Sequence, residues 1–164
     1  MSQTQDLAPT RLADQLERGF RGGAWHGPAL MELLAGLGVE GARWRPAPAS
    51  HSIADLVGHL TYWLEDTHRQ ISGAPRPSVG AEADWAAGAP ASEADWQAAC
   101  AALEAAHAGL RAVVLDLAEG RLDEARSGSD TTIRGLLQGT LQHNAYHAGQ
   151  IALLRKLAEG GGRP

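Results

Sequence analysis

The sequence predicts an all-α fold, a four-helix bundle with a long connection between the second and third helices. Three observations predict it. Apolar residues recur at helical spacing in four separate segments, serine, glycine and proline punctuate the gaps between them, and no stretch shows convincing strand alternation. At 164 residues the chain suits one domain, with a core over about residues 10–160. A domain of this size buries roughly 70% of the surface its unfolded chain exposes, so it needs neither disulfides nor a structural metal to fold.

The first helical segment spans about Thr10 to Leu37. An interruption is expected at Gly22-Gly23 or at Pro28, which lacks a backbone donor, and Gly36 and Gly38 close the segment. Val39 to Ser50 contains Pro46 and Pro48 and is expected to be an extended connection. Ser52 is placed to cap the second helix, with Asp55 adding negative charge to its first turn. Ile53, Leu56, Val57, Leu60, Leu64, Thr67 and Ile71 then share one face, and Gly73 ends the run. Gly73 to Ala91 has no periodicity and suggests a long crossover or a lid over a site. Ser92 caps a third helix, with Glu93 and Asp95 in its first turn, that fades near Gly120 to Glu124. The fourth begins after Ser129-Asp130 and runs to about Ala158, where Glu159 and Gly160 to Gly162 release it.

Composition narrows the function classes. The net charge is −5, and the basic residues are scattered rather than interleaved with aromatics, which argues against nucleic acid as a partner. No apolar run approaches 18 residues and the first residues are polar, so neither a membrane span nor a secretory signal is expected. A soluble, cytoplasmic protein is the expectation. The single cysteine, Cys100, cannot form an internal disulfide and is expected to be a small packed residue in an alanine-rich helix.

His143 and His147 carry the most chemistry. Positions four apart lie on one helix face about one turn apart, so two imidazoles there can share a transition-metal ion without moving the backbone. With Ile133 at zero, Leu136, Leu137, Thr140, Ile151 and Leu154 define an apolar stripe, and the two histidines fall inside it, at about 280° and 320°. Buried imidazoles need strong partners, and imidazole is the commonest metal-ligating side chain. In helical bundles such sites form between facing helices. His59 on the second helix sits at the edge of its stripe with Trp63 one turn on, placed either to reach a neighbouring helix or to remain a half-exposed boundary histidine.

The segments Ala24-Trp25-His26-Gly27, His51-Ser52-Ile53, Val57-Gly58-His59-Leu60 with Trp63, and His143-Asn144-Ala145-Tyr146-His147-Ala148-Gly149-Gln150-Ile151 resemble the DinB-like (DinB/YfiT) superfamily in order and approximate spacing. The resemblance runs from the first helix to the last, and its closing motif is the most specific part. It implies a bundle of up-down-down-up connectivity, often a homodimer, with one divalent ion held by three histidines, here His59, His143 and His147. It also implies thiol-dependent chemistry, since relatives include S-transferases using bacillithiol or mycothiol and a thiol-dependent maleylpyruvate isomerase.

Three neutral imidazoles leave a coordination position open, the catalytic rather than the structural pattern for zinc. Zinc and nickel head the expected ions, but imidazole also suits iron and copper. A metal hydrolase benefits from a carboxylate beside the first ligand, where this chain has Asn144. That absence tilts the expectation toward transfer of a low-molecular-weight thiol onto an electrophilic small molecule. Metal-assisted hydrolysis and a non-catalytic metal-binding stress-response protein stand as the alternatives. Asp55 and Asp66 face broadly the same way as His59 and could fix its tautomer, or be solvated acids. Gln150 could bond a ligand or bridge helices, Tyr146 could flank the site or pack, and His26 and His51 could approach the metal or serve structural hydrogen bonds. His68 and His107 receive no role. Trp85 and Trp96 are expected to anchor the long connection or wall a pocket.

Overall fold

The computed structural model describes residues 7–74, 83–85, 88–126 and 129–160. Among these, all regular structure is helical: α1 (Leu7–Arg21), α2 (Leu30–Leu34), α3 (Val39–Arg43), α4 (Ile53–Ser72), α5 (Glu93–Leu115) and α6 (Ile133–Gly160). Two 3-10 turns, Ala83–Trp85 and Glu119–Asp123, sit in the connections. No strand forms among the described residues, only an isolated antiparallel bridge between Ala125 and Thr132. Most of the expected long connection, residues 75–82 and 86–87, lies outside the described residues, as do Gly161 and Gly162.

The helix boundaries follow from local chemistry. Ser52 Oγ accepts the Asp55 amide at 3.2 Å while the Asp55 carboxylate accepts the Ser52 amide at 2.7 Å, so two otherwise orphaned donors are satisfied reciprocally. Ser92 and Asp95 repeat the device at the start of α5. Gly73 closes α4 at φ 71°, a left-handed conformation that costs glycine nothing. Every apolar position assigned to the face of the second helix is buried, from Ile53 at 1% exposed to Ile71 at 3%.

The interruption expected at Gly22-Gly23 or Pro28 takes the form of a restart, since α1 stops at Arg21 and the chain resumes as α2 only at Leu30, beyond Pro28. Two expectations need correction. Val39 to Arg43 is a helical turn rather than extended chain. Its leading amide, Val39 N, donates to Glu93 of α5 at 2.9 Å and Ala42 is fully buried, so tertiary contacts stabilise a turn too short to show periodicity; Pro46 and Pro48 act only after it. Finally, α5 is long and apolar enough to cross a membrane by length and composition. Alanine supplies that apolarity. In the fold its large residues Trp96, Leu103, Leu110 and Val114 are buried inside the protein.

The core lies between the four long helices. α4 packs on α5 and α6, and α1 packs on the same two. Leu16, Phe20, Leu60, Leu64, Leu103, Leu110 and Leu137 fill it, each contributing roughly 1.5–3 kcal/mol by leaving water. Trp96 is 1% exposed, and its indole N–H donates to Leu37 O at 2.7 Å, so it anchors the α2–α3 corner rather than the long connection. Arg155 of α6 donates to Leu33 O and Ala35 O at 2.8 and 2.9 Å, satisfying carbonyls at the end of α2.

Candidate metal centre

The packing of α4 against α6 brings His59, His143 and His147 together. His59 and His147 are 5% and 6% exposed, and His143 is partly buried. His59 is therefore an interior residue and not a boundary one. His143 Nε2 lies 3.0 Å from His59 Nε2 and 3.1 Å from His147 Nε2. Ligands at about 2.0–2.1 Å from one zinc would be about 3.3 Å apart in a tetrahedron and about 2.9 Å apart at right angles. The two distances to His143 fall between these, and all three ligand atoms lie within 4.8 Å of one another.

Proton positions sharpen the point. His59 Nδ1 faces Asp84 O at 3.2 Å, an acceptor only, so Nδ1 carries the proton and Nε2 presents a lone pair. His147 Nδ1 donates to Gln150 Oε1 at 2.7 Å, with the same result. Two lone pairs thus converge on His143 Nε2, which has at most one proton to offer them. The cluster is under-satisfied by its own hydrogens, and a cation shared by all three nitrogens resolves it. Burial holds all three imidazoles below their ordinary pKa, with their mutual repulsion adding for His59 and His143, and His143 is lowered to about 4. Each imidazole is neutral at pH 7, the form that could hold a metal ion.

The surroundings reveal what sequence reasoning missed. Trp85 stacks on His59 with ring centroids 3.9 Å apart and 14° between planes, and His51 stacks on the other face of the same indole at 3.7 Å. Asp84 places its carbonyl on His59 and a carboxylate oxygen 3.8 Å from His59 Nδ1. Trp85, expected to anchor the connection or wall a pocket, packs on His59, whereas Asp84 has no role assigned from sequence. The carboxylate beside His59 is thus Asp84's. Asp55 instead completes the Ser52 cap and pairs with Arg45 at 2.8 Å, and buried Asp66 accepts from Gln70 at 2.6 Å.

Other predicted residues divide cleanly. Gln150 orients His147, and Trp63 approaches the rings of His59 and His143 at 6.3 and 6.0 Å. Tyr146 is 65% exposed, with its ring centroid 5.0 Å from that of His147, and so borders the site without closing it. His51 is exposed, stacks on Trp85 and lines a neighbouring cavity with Gln150. His26 is not brought into the cluster; it is exposed and lines a separate cavity with Trp25, Arg18 and Asn144. His107, unassigned from sequence, is buried, stacks on Phe20 at 3.8 Å and bonds Glu17 at 2.9 Å, which staples α5 to α1.

Beside the histidines opens a cavity of about 420 Å³, walled by α4, α6 and Asp84. Cys100 takes no part in it, and burial together with Glu104 and Glu93 pushes its thiol up to about 11. Only about one part in 10⁴ is thiolate at pH 7, so iodoacetamide should alkylate Cys100 about a hundredfold more slowly in native than in urea-unfolded protein. Alkylation at equal rates would show the thiol to be unprotected.

Residues 24–151 match the family model described as the DinB superfamily. The fold is similar to the crystal structure titled "conserved protein of locus from Enterococcus faecalis", with a TM-score of 0.69 and 18% identity over 98% of this chain and 99% of that one. That likeness concerns the fold alone. No curated protein matches the chain.

Proposed function

The chain belongs to the DinB superfamily, and from that premise we propose that it is a metal-dependent transferase moving a low-molecular-weight thiol onto an electrophilic small molecule. His59, His143 and His147 are the ligands of one divalent ion, with zinc or nickel foremost. The observation that carries the reading is the convergence of three Nε2 atoms with too few protons to satisfy one another, beside an open cavity. When bound, the ion supplies Lewis acidity, which removes the proton from a coordinated thiol or water. The chain's own residues do the rest. Gln150 and Asp84 O fix the tautomers of His147 and His59, Trp85 holds the His59 ring in plane, and Trp63 walls the site. In the transfer, sulfur bonds to the electrophilic carbon while a halide, or the oxygen of an opened epoxide, leaves with its bonding pair.

A second reading has a specific observation behind it. The Asp84 carboxylate near His59 supplies the acid that the closing motif lacks, and it favours metal-assisted hydrolysis more than the sequence alone did. The up-down-down-up helix order and a homodimer belong to the same proposal. Tyr146, Leu153 and Leu157 form an exposed stripe on α6 that supports an assembly contact there.

The test is consumption of a small thiol in the presence of chlorinated, epoxide or peptide-antibiotic electrophiles. Turnover should need the added ion and vanish in His59→Ala. Thiol loss that survives chelation would contradict the mechanism, and ester or amide cleavage without thiol would move the assignment to hydrolysis.

A further inference from the structure

With Ile133 at zero, Gly135, Gly139, Tyr146, Leu153 and Leu157 all fall between about 200° and 240° around α6. This is the side of the helix turned away from the core. Tyr146, Leu153 and Leu157 are 65%, 58% and 44% exposed, three of the five large apolar side chains that stand out in solvent among the described residues. Residues 135–154 contain no acidic or basic side chain apart from His143 and His147. Arg134, Lys156 and Glu159, at the two ends, stand off the face by roughly 80° or more. A helix face left to water ordinarily carries charge. This one is composed like a covered face.

The order of side chains along it is symmetric. From Gly135 to Leu157 the intervals are 4, 7, 7 and 4 residues, with Tyr146 at the middle, glycines on one side and leucines on the other. A two-fold axis through Tyr146, perpendicular to α6, would set Leu153 of each copy over Gly139 of the other, and Leu157 over Gly135. Glycine inside a helix costs stability relative to alanine, and it permits close approach of another backbone. A Cβ at Gly139 would meet nothing within 4 Å, and one at Gly135 would meet only Thr131 and Thr132, just before the same helix, at 3.3 and 3.4 Å. Packing across the fold therefore demands neither glycine, whereas a second helix passing over both accounts for them. Gln142 and Gln150 stand four residues either side of Tyr146, so in this register the amide of one copy comes opposite that of the other and finds a partner.

The face also borders the metal centre. Gly135 and Gly139 line the cavity beside the histidines, and Tyr146 flanks His147. We propose that two copies of this chain pair antiparallel along α6 about Tyr146, and that the partner's Leu153 and Leu157 complete the apolar wall of each metal-site cavity. The occupant of the face is a second copy because the series of small and large side chains, read in reverse, is its own complement. The inference deepens the proposed function. Closure of the cavity rests on that reading, while the pairing itself needs no ion.

Sedimentation of the full chain should give a dimer, and Leu153→Glu a monomer. Cysteines placed on a Cys100→Ser background read the register. A residue on the axis meets its own copy, so Tyr146→Cys should form a disulfide-linked dimer on mild oxidation. Leu153→Cys alone should not, because its two copies would lie about 21 Å apart along the helices. An equimolar mixture of Leu153→Cys and Gly139→Cys should cross-link. Zinc-loaded Leu153→Glu should keep its zinc and bind benzohydroxamate at least about tenfold more weakly, the loss expected when one leucine's apolar cover is removed. Acetohydroxamate, which has no ring to reach that wall, should change by less than about twofold. A monomeric wild type would overturn the inference and leave the face to a different protein. Cross-linking at position 153 alone, or none at position 146, would overturn the register. Unchanged benzohydroxamate binding in zinc-loaded Leu153→Glu would overturn the closure. An ion-free wild type that still cross-links through Tyr146→Cys removes the proposed function and the closure and supports the pairing, whereas a zinc-loaded wild type that stays monomeric removes this inference alone.

Discussion

His147→Ala should take the purified protein from about one divalent ion per chain to almost none. The ring it removes is 6% exposed, and its Nε2 is 3.1 Å from His143 Nε2, so its loss leaves only two imidazoles to hold the ion. Partners that merely orient a ligand are worth about 10–100-fold in metal affinity, so a ligand itself should be worth more than about a hundredfold. Gln150→Ala provides the graded control. It deletes the acceptor 2.7 Å from His147 Nδ1 while leaving all three rings in place, and affinity should fall by about 10–100-fold without being abolished. Dialysis against a competing chelator followed by elemental analysis reads both. Wild-type metal content in His147→Ala would remove that residue from the ligand set.

The metal-free protein should be markedly acid-labile. His59, His107, His143 and His147 are all held neutral below their ordinary pKa of 6.5, in every case first by burial. The unfolded chain takes up protons on these rings near 6.5, whereas the folded chain does so only at lower pH. Stability is therefore full above about 6.5 and declines as pH falls, until the folded rings protonate in turn, for His143 at about 4. His143 alone corresponds to a loss on the order of 3 kcal/mol across that window. His107 adds to the loss in the same direction. Its Nδ1 is buried without a partner among the described residues, so a second proton there would have no acceptor. Urea midpoints of the metal-free protein should drop clearly between pH 7.5 and pH 4.5. A midpoint that is flat or rises on acidification would mean that these imidazoles are solvated.

Much of this was legible in the sequence where one local cause decided the outcome. Ser52 with Asp55, and Ser92 with Asp95, announced two helix starts because a capping box needs only residues three apart. The stripe from Ile53 to Ile71 and the placement of His147 followed from helical period alone. The turn at Val39–Arg43 was not legible, because five residues carry no period and its leading amide is satisfied by Glu93, distant in sequence. The burial of His59 depends on α6 and on Trp85 lying across it, neither of which its own helix encodes. Asp84 was hidden for a related reason. Its role comes from a carbonyl and a carboxylate delivered by an aperiodic connection, while Asp55 and Asp66, on the periodic helix, drew attention and serve other bonds.

X-ray absorption on the zinc-loaded protein tests the shared ion most directly. One zinc per chain, with about three imidazole nitrogens at about 2.0–2.1 Å and the remaining position taken by a light exchangeable ligand, is the predicted result. A sulfur at about 2.3 Å, fewer than two imidazoles, or zinc far below one per chain would contradict it.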